Sequence, residues 1–304
     1  MRRTASLKSK YTNKSFIMSS ATTSRSKSAS TSFGKGGAPT MPLSIPMGVS
    51  SPVALDHRHH LSTQRLRYSA MATRLTDISQ MDVQAALDQM RSLAFSSRPQ
   101  VVYKTAYYRK QTKNHWSRDD PAFAVLQAVF LTIATLAYSV AFRTTIMGGL
   151  GFLLYSLLWN WLVPGFVLAT IGREIANRHL SGTQSSSHVR QSVEWLYAFD
   201  IHCNAFFPLF CLLYVVQFFM LPLVLGKSFG ALLLSNTLYA AAFSWYWYIT
   251  HLGYRSLPFL SNTEVFLFPI AAIVLVYCLN LIGYPFGMGW NASRLIAQVY
   301  FFLK

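Results

Sequence analysis

Acidic side chains are scarce in this chain: ten Asp and Glu stand against 27 Lys and Arg in 304 residues. Charged residues of either sign make up 12% of the sequence, against roughly 25% in an ordinary soluble domain. Cysteine is rare as well. Cys203, Cys211 and Cys278 lie in or beside apolar stretches without CxxC spacing, so no disulfide framework is expected and buried small side chains are the favoured reading. The motifs of membrane enzymes are missing too. There are no histidine clusters at the edges of apolar runs, and no HExxH, GxSxG or Walker pattern. The interiors of the long apolar runs hold no acidic or basic residue, which argues against a proton-coupled transporter or an ion pathway. Neither catalysis nor a cofactor or bound metal is expected.

The apolar runs themselves are abundant. Residues 122–142, 146–171, 206–225, 229–249 and 265–282 each carry no charge. Their lengths match a hydrocarbon core about 30 Å thick crossed by a helix. The expected fold class is therefore all-α: a polytopic bundle of five transmembrane helices over residues 121–290, with a short tail at 291–304. Pro164-Gly165 is expected to kink the second run. Gln127, Asn160, Gln217, Asn236 and Asn280 inside the runs are expected to join helices by hydrogen bonds.

Charge is lopsided along the chain. Residues 1–118 hold 19 of the 27 basic residues and 4 of the 10 acidic ones. Residues 1–75 read as a disordered basic tail rich in Ser and Thr. It contains the tract His57, His59 and His60, for which a solvated role is favoured over metal binding. An organelle transit peptide fits its composition, but the body needs no import signal. Lys104, Arg109, Lys110, Lys113, Arg118, Arg173, Arg178, Arg190 and Arg255 fall on one side of the five runs, against Arg143, Lys227, Arg294 and Lys304 on the other. This bias places the N-terminus in the cytosol and the C-terminus outside or in a lumen. Asn291-Ala292-Ser293 is then a candidate glycosylation acceptor.

Residues 76–120 form a cytosolic juxtamembrane segment. Within it, 77–95 reads as an amphipathic helix with Val83, Leu87, Met90 and Ala94 on one stripe, and Ile78 and Met81 adding to it. It either packs on a neighbour or lies in the membrane surface as an interfacial helix. In the charged run 108–123, Asp119 and Asp120 could hold a divalent ion. Capping is favoured, with Asp120 as N-cap and Pro121 at the first helical position. Arg109, Lys110, Lys113 and Arg118, with Trp116 at the interface, read as a lipid anchor or as a docking surface for a partner. Glu194, Asp200, His202 and Asn204 form a polar cluster beside the third run. On a helix Asp200 and Asn204 share a face, and His202 is turned roughly 160° from Asp200. These residues are expected at the interface, where water reaches them, and interior polar bonding or an interfacial lead-in helix is favoured there over a ligand site.

Three blocks carry a resemblance: YYRKQTKNHWSRDDPAF (107–123), VEWLYAFDIHCNAFFPLF (193–210), and the LGYRSLPFL and FPIA segments within 252–271. They closely resemble the uncoordinated-fifty (Unc-fifty) family of eukaryotic membrane proteins over about residues 79–290. The resemblance implies a Golgi or early-secretory membrane protein with five spans and a cytosolic N-terminus; the ER or inner nuclear membrane is the alternative. It implies recruitment of large Golgi guanine-nucleotide exchange factors for Arf GTPases, and delivery of receptors to the cell surface. RNA binding is an alternative role, for which the basic tail would supply phosphate contacts. A lipid-handling protein built on Asp200, His202, Asn204, Asp119 and Asp120 is a third. The lipid bilayer is a partner on every reading.

Overall fold

The computed structural model describes residues 66, 69, 70, 73, 81–96, 98–182 and 191–302. Almost all of the basic tail, with His57, His59 and His60 and the proposed RNA contacts, lies outside the described residues. So do Ile78 and Arg190.

Helix α1 spans Val83–Phe95. Asp82 caps it, its Oδ1 accepting from the Ala85 N–H at 2.9 Å. The buried residues are Ala86, Met90 and Leu93, spaced at four and three as a helix face requires. Val83 and Leu87 of the expected stripe are 39% and 38% exposed. The face turned inward is rotated by about 60° at 100° per residue, because α1 packs on the helices that begin at Val101, Ala122 and Trp195. Helix α2 spans Val101–Lys113. It ends at Asn114, whose left-handed backbone (φ 57°) sends its N–H to the Lys110 carbonyl.

The apolar runs fold as long helices. They are α3 (Ala122–Ala141), α4 (Ile146–Leu180), α5 (Trp195–Phe219) and α7 (Thr263–Phe286), each long and apolar enough to cross a membrane. Helix α6, Phe229–Arg255, lies between α5 and α7 and has 27 residues. Its Asn236, His251 and consecutive Trp245, Tyr246, Trp247 and Tyr248 make it less apolar than those four, so four rather than five spans follow from length and composition. Helix α8, Ala292–Ala297, continues as a wider π turn over Gln298–Phe302.

Proline leaves its mark where expected, in a different form. Pro164 of α4 follows directly on a π-helical stretch, Ser156–Leu162. Pro208 inside α5 precedes another, Cys211–Val216. At Pro164 the widened turn lies on the side where a proline's ring and missing N–H disturb the helix. The third span also begins earlier than read. The run 206–225 is expected from the absence of charge, yet the helix starts at Trp195. Asp200, His202 and Asn204 therefore lie inside α5, and Glu194 stands at its cap position.

Helix α5 is the centre of the bundle: 56% of its apolar window is buried, against 11% for α7. Helix α6 runs antiparallel to it from Tyr239 to Gly253. Near the start of α5, the Tyr197 hydroxyl donates to the Gly253 carbonyl at 2.9 Å. Near its end, Gln217 meets the Tyr239 hydroxyl at 3.5 Å. The amides expected to join helices largely do so. Gln127 of α3 donates to the Cys203 carbonyl and accepts from the Trp161 indole, at 3.1 and 3.0 Å. Asn160 joins α4 to Tyr214 and Tyr300. Asn236 and Asn280 together hold both backbone groups of Trp290 and the N–H of Ala292. Of the cysteines, Cys203 is buried, Cys211 is half-buried, and Cys278 is exposed on α7.

Close approach of α5 and α6 depends on Gly253, where an added Cβ would stand 2.7 Å from Ile201 Cγ1. Ile201 is itself buried. Gly253→Ala is expected to lower stability by about 1–3 kcal/mol through overpacking. Gly151→Ala, which meets open space, should leave the thermal midpoint of the detergent-purified chain unchanged.

Candidate functional site

The left-handed Asn114 turns the chain sharply out of α2 into His115-Trp116-Ser117-Arg118, all four of them buried. Buried backbone donors need acceptors, and α5 and its cap residue Glu194 supply them. The Glu194 carboxylate accepts from the Trp116 N–H at 3.2 Å and from the Ser117 hydroxyl at 3.1 Å. Asp200 accepts from the Arg118 N–H at 2.7 Å. One turn further on, Asn204 Oδ1 accepts from Arg118 Nη2. The guanidinium lies over the Phe123 ring, 4.2 Å from its centroid, a favourable placement for a cation. Asp200 and Asn204 share one face, as their spacing requires. The loop before α3 is thus latched to the head of α5.

The rest of the charged run serves the same latch. Arg109 donates from Nε and Nη2 to the Trp116 carbonyl, at 3.4 and 3.3 Å. Burial lowers the Arg109 pKa, and the nearby Asp200 carboxylate opposes that shift; the guanidinium keeps its proton. Lys110 Nζ sits 5.8 Å over the Trp116 ring. Lys113 and His115 both reach Asp119, at 2.5 and 3.0 Å. Asp120 Oδ1 accepts from the Ala122 N–H at 2.9 Å, and its Oδ2 accepts from the Asp82 N–H at 2.6 Å. One carboxylate therefore ties the start of α3 to the start of α1.

Several expectations change with this geometry. Pro121, not Asp120, occupies the cap position of α3; Asp120 still satisfies a first-turn donor from one residue earlier. Trp116 is 2% exposed, packed among Tyr107, Tyr197 and Phe259, rather than lying at a membrane interface. Arg118 is buried and turned inward, so among the five residues read as an anchor or docking set, Lys113 offers the most open surface. Of the two readings of the polar cluster, the contacts match interior polar bonding: His202 and Asn204 are each 3% exposed, out of reach of water, while Glu194 and Asp200 are half-buried.

His202 points away from the latch, as the helical spacing requires. Its Nε2 lies 3.1 Å from the Trp161 carbonyl and its Nδ1 lies 2.8 Å from the Tyr246 hydroxyl. The carbonyl can only accept, so Nε2 carries the proton. The neutral ring then accepts from Tyr246 and is fully satisfied. It is a structural histidine joining α4, α5 and α6. Asp200, His202, Asn204, Asp119 and Asp120 do not converge on one cavity, and among the described residues no group of three or more His, Cys, Asp or Glu could hold a metal ion. What reasoning from sequence missed was the pairing of the first two blocks with each other. The signal for it was present: an unusual density of carboxylates and amides in 193–204, facing an N–H-rich loop.

The fold and the latch define a multispanning helical membrane protein whose juxtamembrane segment is locked to its central span. Residues 71–301 match the family described as the UNC-50 family. The protein unc-50 homolog of Dictyostelium discoideum is 43% identical over 229 residues, covering 75% of this chain and 85% of that protein. The Homo sapiens protein unc-50 homolog is 38% identical over 244 residues, covering 80% and 89%, and that of Danio rerio is 36% identical over 246 residues. No solved structure matches the chain. The chain belongs to the UNC-50 family.

Removing Arg118 strips Asn204 of its donor and leaves Asp200 without its nearest cation. Arg118→Ala is expected to cost about 3 kcal/mol, as broken buried charge networks do. Arg118→Lys should recover only part of this, since an ammonium lacks the planar fork. Thermal unfolding of the detergent-purified chain checks both. The candidate glycan acceptor is also engaged: Asn291 Nδ2 donates to the Val224 carbonyl at 2.6 Å, and its Oδ1 caps α8 at Arg294. Digestion with a peptide N-glycosidase is expected to leave the electrophoretic mobility unchanged.

Proposed function

We propose that the chain is a non-enzymatic adaptor of the early secretory pathway, resident in the Golgi membrane. It would cross that membrane five times, with its N-terminus in the cytosol and its C-terminus in the lumen. The antiparallel run of α6 along α5 supports α6 as the fifth span, since Tyr239 to Gly253 of α6 pair in reverse order with Gln217 to Tyr197 of α5. The excess of Lys and Arg at the end bearing α1 and α2 supports the orientation.

The observation that carries the docking role is the outward face of α2. Val102, Tyr103 and Ala106 are buried beneath it, and the Tyr103 hydroxyl donates to the Ile249 carbonyl at 3.2 Å. The opposite stripe, Val101, Lys104, Tyr108 and Gln111, is exposed, Tyr108 to 71%. A rigidly seated helix that presents an aromatic and a cation at helical spacing fits a protein-docking surface. The partner on this reading is a large Arf guanine-nucleotide exchange factor, whose recruitment supports delivery of receptors to the cell surface.

The latch residues are poor tests, because altering them disturbs the fold. The double variant Lys104→Ala, Tyr108→Ala changes only exposed groups. It is expected to stay in the Golgi while weakening capture of the exchange factor by about thirtyfold, the loss of a typical hot spot. Fluorescence of the tagged factor at Golgi membranes measures this, and unchanged recruitment would overturn docking on α2.

A further inference from the structure

A cavity of about 380 Å³ lies within the bundle on the far side of α5 from the latch. That volume falls in the range of small-molecule sites, about 300–1,000 Å³. Its walls come from the middle of α4 and of α6, its floor from α5, and one end from the last turn of α3, from α8 and from the turn after it. Trp159 and Phe243 line it and are also 60% and 42% exposed. Both stand midway along their helices, so the mouth between α4 and α6 opens at hydrocarbon depth.

The lining contains no Asp, Glu, Lys or Arg, and His202 has both nitrogens engaged. An ionic headgroup entering there would lose its hydration without gaining a counter-charge. One polar group in the lining is orphaned. Gln217 is 6% exposed, and its Oε1 has no hydrogen-bond partner; its Nε2 meets the Tyr239 hydroxyl only at 3.5 Å. Turning the amide over moves the orphan from oxygen to nitrogen without removing it. A hydroxyl, which both donates and accepts, satisfies either arrangement. Gln217 stands two residues from the end of α5 and is level with Tyr239, ten residues past the first residue of α6, so its amide lies inside the bundle. The rest of the cavity runs from there toward the middle of the bundle at His202.

From the uncharged lining, the mouth at hydrocarbon depth and the orphaned amide in its wall, we propose that this cavity binds an uncharged, hydroxyl-bearing membrane lipid. The hydroxyl pairs with Gln217, and the apolar body extends past Phe206 and Leu213 toward mid-membrane. The site is independent of the docking face on α2, so either can fail without the other.

The test uses the full chain in lipid nanodiscs and three photoreactive probes: a diazirine sterol with its free hydroxyl, the same sterol O-methylated, and a diazirine diacylglycerol. The expected result is labelling of residues 209–217 or 239–247 by the free sterol, the diacylglycerol or both, the two arms separating the lipid sources. Unlabelled lipid of the same kind should compete, and phosphatidylserine should not. Gln217→Leu is expected to reduce labelling about tenfold, the worth of one hydrogen bond, while leaving the thermal midpoint equal or higher because an unsatisfied buried group is removed. Ile296→Trp, which fills the cavity from α8, should reduce labelling independently of the amide. Equal labelling by the O-methylated sterol, labelling confined to outward faces such as α7, labelling insensitive to both variants, or no labelling by any probe would each overturn the proposal.

Discussion

The arrangement of the bundle depends on where the backbone N–H groups of Trp116 and Arg118 find their acceptors. These residues are buried at the edge of an apolar helix bundle, where an unpaired donor costs free energy comparable to a lost hydrogen bond. Glu194 and Asp200 answer them, and Asn204 receives the Arg118 side chain. The start of α3 is thereby fixed against the head of α5. Asp120 carries the constraint onward to the start of α1, and Arg109 carries it back to α2. A buried, charged network of this kind is weak evidence for stability in itself, since desolvation opposes it. Its geometric demand is what matters here: the loop fits α5 in one register.

The same logic recurs deeper in the bundle, with neutral groups. Apolar helices gain little from packing against one another in lipid, so polar side chains and small residues define how they meet. Gln127 ties α3, α4 and α5 at one depth, and His202 joins α4, α5 and α6 nearby. Asn236 and Asn280 clasp the Trp290 backbone at the far end. Gly253 lets α6 approach Ile201 of α5. Gln217 departs from this pattern: it is a buried amide whose bonding stays incomplete, and it lines the cavity between α4 and α6.

Much of this was legible in the sequence. Uncharged runs of membrane-crossing length marked the helices, and the blocks 107–123 and 193–210 stood out as the places where charge is concentrated. The spacing of Asp200, His202 and Asn204 correctly divided them between two faces. The boundaries were less legible. The third span was read as beginning after its charges, because hydropathy treats every carboxylate as exposed to water. Trp116 was read as an interfacial aromatic for the same reason. The face of α1 was judged from apolar spacing alone, and Ala86 and Leu93 outcompeted Val83 and Leu87 once neighbours on α3 and α5 were in place.

By itself, then, the sequence determined an all-helical membrane protein with a basic N-terminal half, membership of its family, and the two polar blocks on which its organisation turns. Those properties are local: they follow from composition, run length and residue order. Only the tertiary structure decided that the two blocks are partners, that Arg118 faces inward, and that α4 and α6 stand apart to leave a cavity. Each of those depends on contacts between residues roughly forty to eighty positions apart, where burial and pairing are set by the whole bundle and no local pattern records them.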